Sequence, residues 1–147
     1  MSENHYAEFS ECGMKPQDVL AYVSGPVPVP AEGEVLVRMM VAPINPADIN
    51  FIQGVYGVKP VLPHSRAGLE GCGMVEESRA DGFRKGDQVI HLRGVGSWSE
   101  LVAVSALNLM KLPGAVEPGP GGQLQGASPP GRPGPPRPRT GEPASGA

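Results

Sequence analysis

Ala42-Pro-Ile-Asn-Pro-Ala-Asp-Ile-Asn-Phe-Ile-Gln-Gly-Val-Tyr-Gly57 follows directly on Glu34-Val-Leu-Val-Arg-Met-Met-Val41, and the junction between them decides the fold. In the first stretch Val35, Val37, Met39 and Val41 share one face of an extended chain, and Leu36, Arg38 and Met40 share the other. With its β-branched content this alternation predicts a strand. In the second stretch Asn45 suits a helix N-cap. Pro46 suits the first helical position, where a missing N–H costs nothing. Asp48 lies in the first turn, where the helix dipole favours a carboxylate. Ile49 and Ile52 stand three apart, and Gly54 can take the left-handed conformation that ends a helix. A strand therefore feeds a helix of about two turns, Pro46 to Gln53, with Tyr56 in a glycine-flanked loop just beyond.

Outward from this junction the pattern is mostly β. Phe9 to Gly13 reads as a strand end and turn, and Pro16–Val23 as a short strand preceded by a turn. Gly25–Gly33 carries three prolines and cannot join a central ladder, so it is an extended connector. Three glycines punctuate Gly68-Leu-Glu-Gly-Cys-Gly-Met-Val75, a pattern expected where backbones approach closely. Further strands are predicted at Gln88–Leu92, Ser97–Val104 and Leu109–Leu112, with turns at Asp81-Gly82 and Gly94-Val-Gly96. Short strands separated by such turns predict a mainly β fold, a small barrel or sandwich with one or two short helices.

Composition sets limits. The 147 residues suit one domain, and a net charge of −3 supplies no basic surface for nucleic acid or an anionic membrane. Met1–His5 has no apolar core of a secretory signal, and Met39–Ile44 is too short to span a bilayer. A soluble, cytoplasmic protein is expected. Cys12 and Cys72 then read as reduced thiols, and neither has a Cys or His partner at metal-ligand spacing, so no metal site is expected.

Glycine and proline make up 18 of the 34 residues from Gly114 to Ala147, against 21 of the first 113. The chain thus divides into a domain over 1–113 and a Gly/Pro-rich tail over 114–147. The tail lacks the large apolar residues needed to offset ordering entropy, which predicts disorder. Its Pro129–Arg139 run also fits a polyproline ligand. The abrupt change of composition favours a third reading, translation out of frame or past a truncation.

Four motifs in order carry a family resemblance over about residues 7–113. They are Pro28-Val-Pro with Gly33-Glu-Val-Leu-Val-Arg38, Ala42–Asn50, Gly68–Val75 and Gly86-Asp-Gln-Val-Ile90. Together they resemble the N-terminal, GroES-like domain of the medium-chain dehydrogenases/reductases. Zinc-dependent members carry a histidine before the glutamate of the third motif and a cysteine at the place of Asn45. Here Leu69 precedes Glu70, so the chain resembles the zinc-free branch, the quinone oxidoreductases and 2-enoyl thioester reductases. The stretch Ala42–Gly57, followed later by Gly96-Ser-Trp-Ser-Glu100, is most similar to mitochondrial-type enoyl-CoA or acyl-carrier-protein reductases.

The resemblance implies a division of labour. NADPH would deliver hydride to the β-carbon of an enoyl thioester, and Tyr56 would be catalytic. A phenol is a neutral hydrogen-bond donor at physiological pH, suited to an enolate oxygen or to proton delivery. Asn45 would lie near the nicotinamide, and no zinc would be needed. Full-length relatives would be homodimers acting on a small enoyl thioester or quinone. Family members continue into a Rossmann domain, whereas no strand followed by G-x-G-x-x-G occurs after Pro113. The 147 residues alone are therefore expected to be inactive, and a non-catalytic remnant or interaction module with a proline-rich tail is the alternative. Plainer roles stand beside these: Asn45 as a helix cap, Asp48 as a first-turn residue, Glu70 as a structural acceptor, Trp98 as core, and Tyr56 as a surface residue. His5, His64 and His91 are expected to be ordinary loop or strand residues. The chain after Val75, Glu-Glu-Ser-Arg-Ala-Asp, departs from the family pattern and predicts an irregular connection.

Overall fold

The computed structural model describes residues 3–114 and the backbone of Glu117–Pro118 and Leu124–Gln125. In chain order the elements are β1 (Glu3–Phe9), α1 (Pro16–Val19), β2 (Ala21–Pro26), β3 (Glu34–Val41), α2 (Pro46–Ile52), β4 (Ser65–Arg66), β5 (Gly71–Ser78), β6 (Gln88–His91), β7 (Leu101–Ser105), a short 3-10 turn (Ala106–Asn108) and β8 (Leu109–Lys111). Two-residue strands β9 (Glu117–Pro118) and β10 (Leu124–Gln125) pair antiparallel. The rest of the segment read as a disordered tail, with its proline-rich run, lies outside the described residues. Among those described, no helix is long and apolar enough to cross a membrane.

The fold is mainly β with two short helices, as the strand and turn spacing predicts. One antiparallel sheet has the order β2-β1-β4 and the other β7-β3-β5-β6-β8. They are stitched where β1 meets the start of β7. The Glu100 N–H donates to His5 O and the Ala7 N–H to Trp98 O, both at 2.9 Å. The buried amide of Asn4 both accepts from Leu101 N–H (2.9 Å) and donates to Leu101 O (2.8 Å). These links join the two sheets.

The alternation of β3 is realised: Val35 and Val37 are fully buried in a cluster with Val75, Val89, Val102 and Val104. β3 lies between β5 and β7, and its ladder with β5 has a register irregularity between Met39 and Val41, at the end that leads to α2. The close approach expected at the three glycines is also realised. A Cβ on Gly73 would collide with the Arg38 carbonyl oxygen, and one on Gly71 would sit 2.8 Å from that of Val41. A second cluster of Phe9, Phe51, Ile52 and Ala67 lies beneath α2, with the rings of Phe9 and Phe51 edge to face at 5.7 Å.

Five local readings are refined or corrected. Glu3–Glu8 is part of a strand, and Pro16–Val19 is a helical turn that precedes β2. Pro26 does enter a ladder, but at its free edge, where its missing donor is harmless. Ser97–Glu100 is a connector rather than the first half of β7, because its backbone groups go to three different partners: β1, β3 and the Ala67-Gly68 segment. Glu76–Ser78 stays in β5, the mismatch being absorbed by a bulge between Leu36 and Val37.

Candidate functional site

A cleft of about 390 Å³ opens where the start of α2, the loop after it, the Leu69-Glu70 segment and the Leu92–Val95 loop converge. Asn45, Tyr56 and Glu70 all line it, so the two candidate site residues named from sequence share one cavity.

The first wall is built at the helix start. Asn45 has extended backbone angles (φ −100°, ψ 158°) and occupies the N-cap, with Pro46 next, as predicted. Asp48 is only 1% exposed. Its Oδ2 accepts from the Asn45 N–H at 2.7 Å and its Oδ1 from the Leu69 N–H at 2.9 Å. One buried carboxylate therefore ties the helix start to the Leu69-Glu70 segment that leads into β5. The Asn45 side-chain amide donates to Glu70 Oε2 at 3.3 Å, which makes Glu70 the acceptor expected of it. Trp98 is half-buried against the second core cluster, and its Nε1–H donates to Pro43 O at 3.0 Å, pinning the Ala42–Asn45 turn.

The second wall carries Tyr56. α2 ends where Gly54 turns into the left-handed region (φ +75°), with Cys12 packed so closely that a Cβ there would lie 2.8 Å from its Sγ. The Val55 and Tyr56 N–H groups then both donate to Asn50 O, at 2.9 and 3.1 Å. Lys59 Nζ caps Gly54 O at 2.7 Å. The ring of Tyr56 packs against the second cluster, and its hydroxyl makes no hydrogen bond among the described residues. A phenol fixed at its ring and uncommitted at its oxygen is a donor available to whatever enters the cleft.

The third wall, Leu92–Val95, reads in the sequence only as a strand end at Leu92 and the Gly94-Val-Gly96 turn, and β6 in fact stops at His91. It is fastened at both ends, by Leu92 N–H to Asn108 O (3.0 Å) and Gly96 N–H to Gly68 O (2.9 Å). His91, 1% exposed, lies beneath it with Nε2 3.1 Å from Arg93 O. Burial pushes the His91 imidazole below the usual histidine range, and the contact with Arg93 O opposes that only in part. His91 is thus more than an ordinary strand residue: it supports a cleft wall. His5 and His64 are surface residues beside Glu100 and Glu8.

Among the described residues no three His, Cys, Asp or Glu side chains are grouped to hold a metal ion. Both cysteines are free thiols, Cys12 exposed and Cys72 buried. Every described ladder is antiparallel, and the α-helices have four and seven residues. A parallel βαβ cradle for a dinucleotide pyrophosphate is thus not among the described residues. What they offer at the cleft is the Asn45 side-chain amide, held by Glu70, beside the apolar side chains of Val58, Leu69, Leu92 and Val95.

The profile of the alcohol dehydrogenase GroES-like domain family matches residues 31–114, from just before β3 through β8. The mitochondrial enoyl-[acyl-carrier-protein] reductase of Xenopus tropicalis is 37% identical over 105 residues, covering 69% of this chain and 30% of that protein. The Etr1p/NADP/crotonyl-CoA complex superposes with a TM-score of 0.67 at 31% identity, covering 77% of this chain and 34% of that one. The putative NADPH:quinone reductase of Bacillus thuringiensis gives a TM-score of 0.68 at 35% identity, with 77% and 34% covered. The chain spans about a third of the length of these relatives.

Proposed function

The chain belongs to the alcohol dehydrogenase GroES-like domain family of the medium-chain dehydrogenases/reductases, and from that premise we propose that it forms the substrate-side wall of an NADPH-dependent 2-enoyl thioester reductase. The observation that carries this reading is the uncommitted hydroxyl of Tyr56 in a cleft shared with Asn45. NADPH, when bound, supplies the hydride that reduces the C=C bond. Tyr56 would donate a hydrogen bond to the thioester oxygen as negative charge develops there, the kind of preorganised donor that lowers a barrier most. Asn45, with its amide oriented by Glu70, would face the nicotinamide. Val58, Leu92 and Val95 line the same cleft and are 60%, 42% and 41% exposed, an apolar surface that fits an acyl chain. Turnover requires a nicotinamide held against this wall, so the wall alone is proposed to be inactive.

Similarity to the Bacillus thuringiensis protein supports a second reading, in which the same cleft takes a quinone and Tyr56 donates to its carbonyl. Titration of the isotopically labelled chain with crotonyl-N-acetylcysteamine and with a short-chain quinone distinguishes the two. The thioester should shift the amide resonances of Asn45, Tyr56 and Leu69 selectively. Shifts with the quinone alone favour the second reading, and shifts with neither overturn both.

A further inference from the structure

Beyond the substrate reading, the geometry points to His91 as a positioning residue that makes the Leu92–Val95 wall of the cleft proton-sensitive. The imidazole is buried at the end of β6, and its Nε2–H donates to the carbonyl of Arg93, the residue at the middle of the wall. Gly94 (φ +132°) folds back over the ring, so that a Cβ there would lie 2.8 Å from Nε2. Nδ1 has no partner among the described residues. The ring therefore fits its place only as the neutral tautomer protonated at Nε2.

No acidic side chain among the described residues makes contact with the imidazole. Gly71 of β5 and Leu109 of β8 stand opposite His91 in the two ladders. On β5, the Cys72 thiol is pushed up by burial and so stays neutral. Glu70, next to Gly71, accepts from the Asn45 side chain. The buried Asp48 carboxylate is filled by the amides of Asn45 and Leu69. On β8, Lys111 is paired with Asp87 at 2.7 Å. Arg93 adds a like charge on the wall itself. A proton on Nδ1 would be a buried donor without an acceptor and a buried charge without a counter-charge, both of which a protein avoids by exposing the group. The ring leaves its place, the hydrogen bond to Arg93 O is lost, and Leu92–Val95 detaches from the cleft.

The test uses the full chain and needs no substrate. Exchange of the Leu92 and Gly96 amides, which fasten the wall, is measured against pH and corrected for intrinsic rates, alongside the His91 ring resonance. Below the ordinary histidine value of 6.5 the opening constant should rise about ten-fold per pH unit until the buried ring itself titrates, the response of a single proton. His91→Gln, whose amide can still donate to Arg93 O without titrating, should flatten that dependence and leave the wall closed at pH 5. Opening that is independent of pH in the unmodified chain overturns the proposal. So does an equal pH dependence in His91→Gln. If that variant does not fold, co-titration of the two amides with the His91 ring in the unmodified chain decides: a shared midpoint supports the proposal, and separate midpoints overturn it.

Discussion

Removing the Asp48 carboxylate should loosen both the helix start and the cleft. Asp48 accepts two short hydrogen bonds, at 2.7 Å from Asn45 N and 2.9 Å from Leu69 N, while itself 1% exposed. Hydrogen bonds to a charged acceptor contribute about 1.5–3 kcal/mol each. The lower figure applies here because Asn45 and Leu69 are half-buried and water can reach their freed amides. Asp48→Ala should therefore cost about 3 kcal/mol from the two bonds, and roughly 1 more for the lost support at the helix N-terminus. Against a total of about 5–15 kcal/mol for a domain of this kind, that is a large fraction. Asp48→Asn keeps one acceptor but turns an NH2 toward the other amide, and should cost about half as much. Urea unfolding followed by Trp98, the sole tryptophan, measures both variants. A loss below about 1 kcal/mol for Asp48→Ala, or none for Asp48→Asn, would refute the view that this carboxylate holds the helix start to the Leu69-Glu70 segment.

Three further outcomes follow from other parts of the fold. Gly73→Ala should cost about 1–3 kcal/mol, because its Cβ meets Arg38 backbone within the central β3–β5 pair, whereas Gly57→Ala, with nothing within 4 Å, should be nearly neutral in the same urea assay. Iodoacetamide should label exposed Cys12 well before Cys72, which burial keeps protonated; equal rates in the native chain would contradict this. His91 makes stability pH-dependent with a definite sign. Its folded value lies below the 6.5 of the unfolded chain, so stability is full above that pH. It falls through the window beneath, by at most about 1.4 kcal/mol per pH unit, until the folded ring titrates. Urea midpoints measured from pH 7.5 to 5 should drop more in the unmodified chain than in His91→Gln.

What the sequence revealed, and what it concealed, divides along contact range. β3 and α2 were legible because their signals are local: alternation at Val35 and Val37, the Asn45-Pro46 start, and the Gly54 stop. Gly71 and Gly73 were legible because only a missing Cβ lets β3 and β5 approach so closely. The Asp48–Leu69 bond joins residues 21 apart, and nothing near Asp48 distinguishes it from any first-turn carboxylate. Ser97–Glu100 has the composition of a strand, but its backbone is shared among three partners, which no periodicity expresses. The third cleft wall was visible only as the Gly94 and Gly96 turn. That His91 lies beneath it depends on the β5-β6-β8 register. Tyr56 and Asn45 were found by resemblance to a family, and the structure adds that they line one cavity.

The central claim is that this wall serves a reductase through Tyr56. Its most direct test grafts residues 1–113 in place of the matching domain of the Xenopus tropicalis enoyl reductase and follows NADPH oxidation with crotonyl-CoA. The chimera should reduce the thioester, and Tyr56→Phe should lower kcat by about 100-fold with little change in KM, the loss of a donor used chiefly in the transition state. A folded chimera without activity, or an active one indifferent to Tyr56→Phe, would contradict the account.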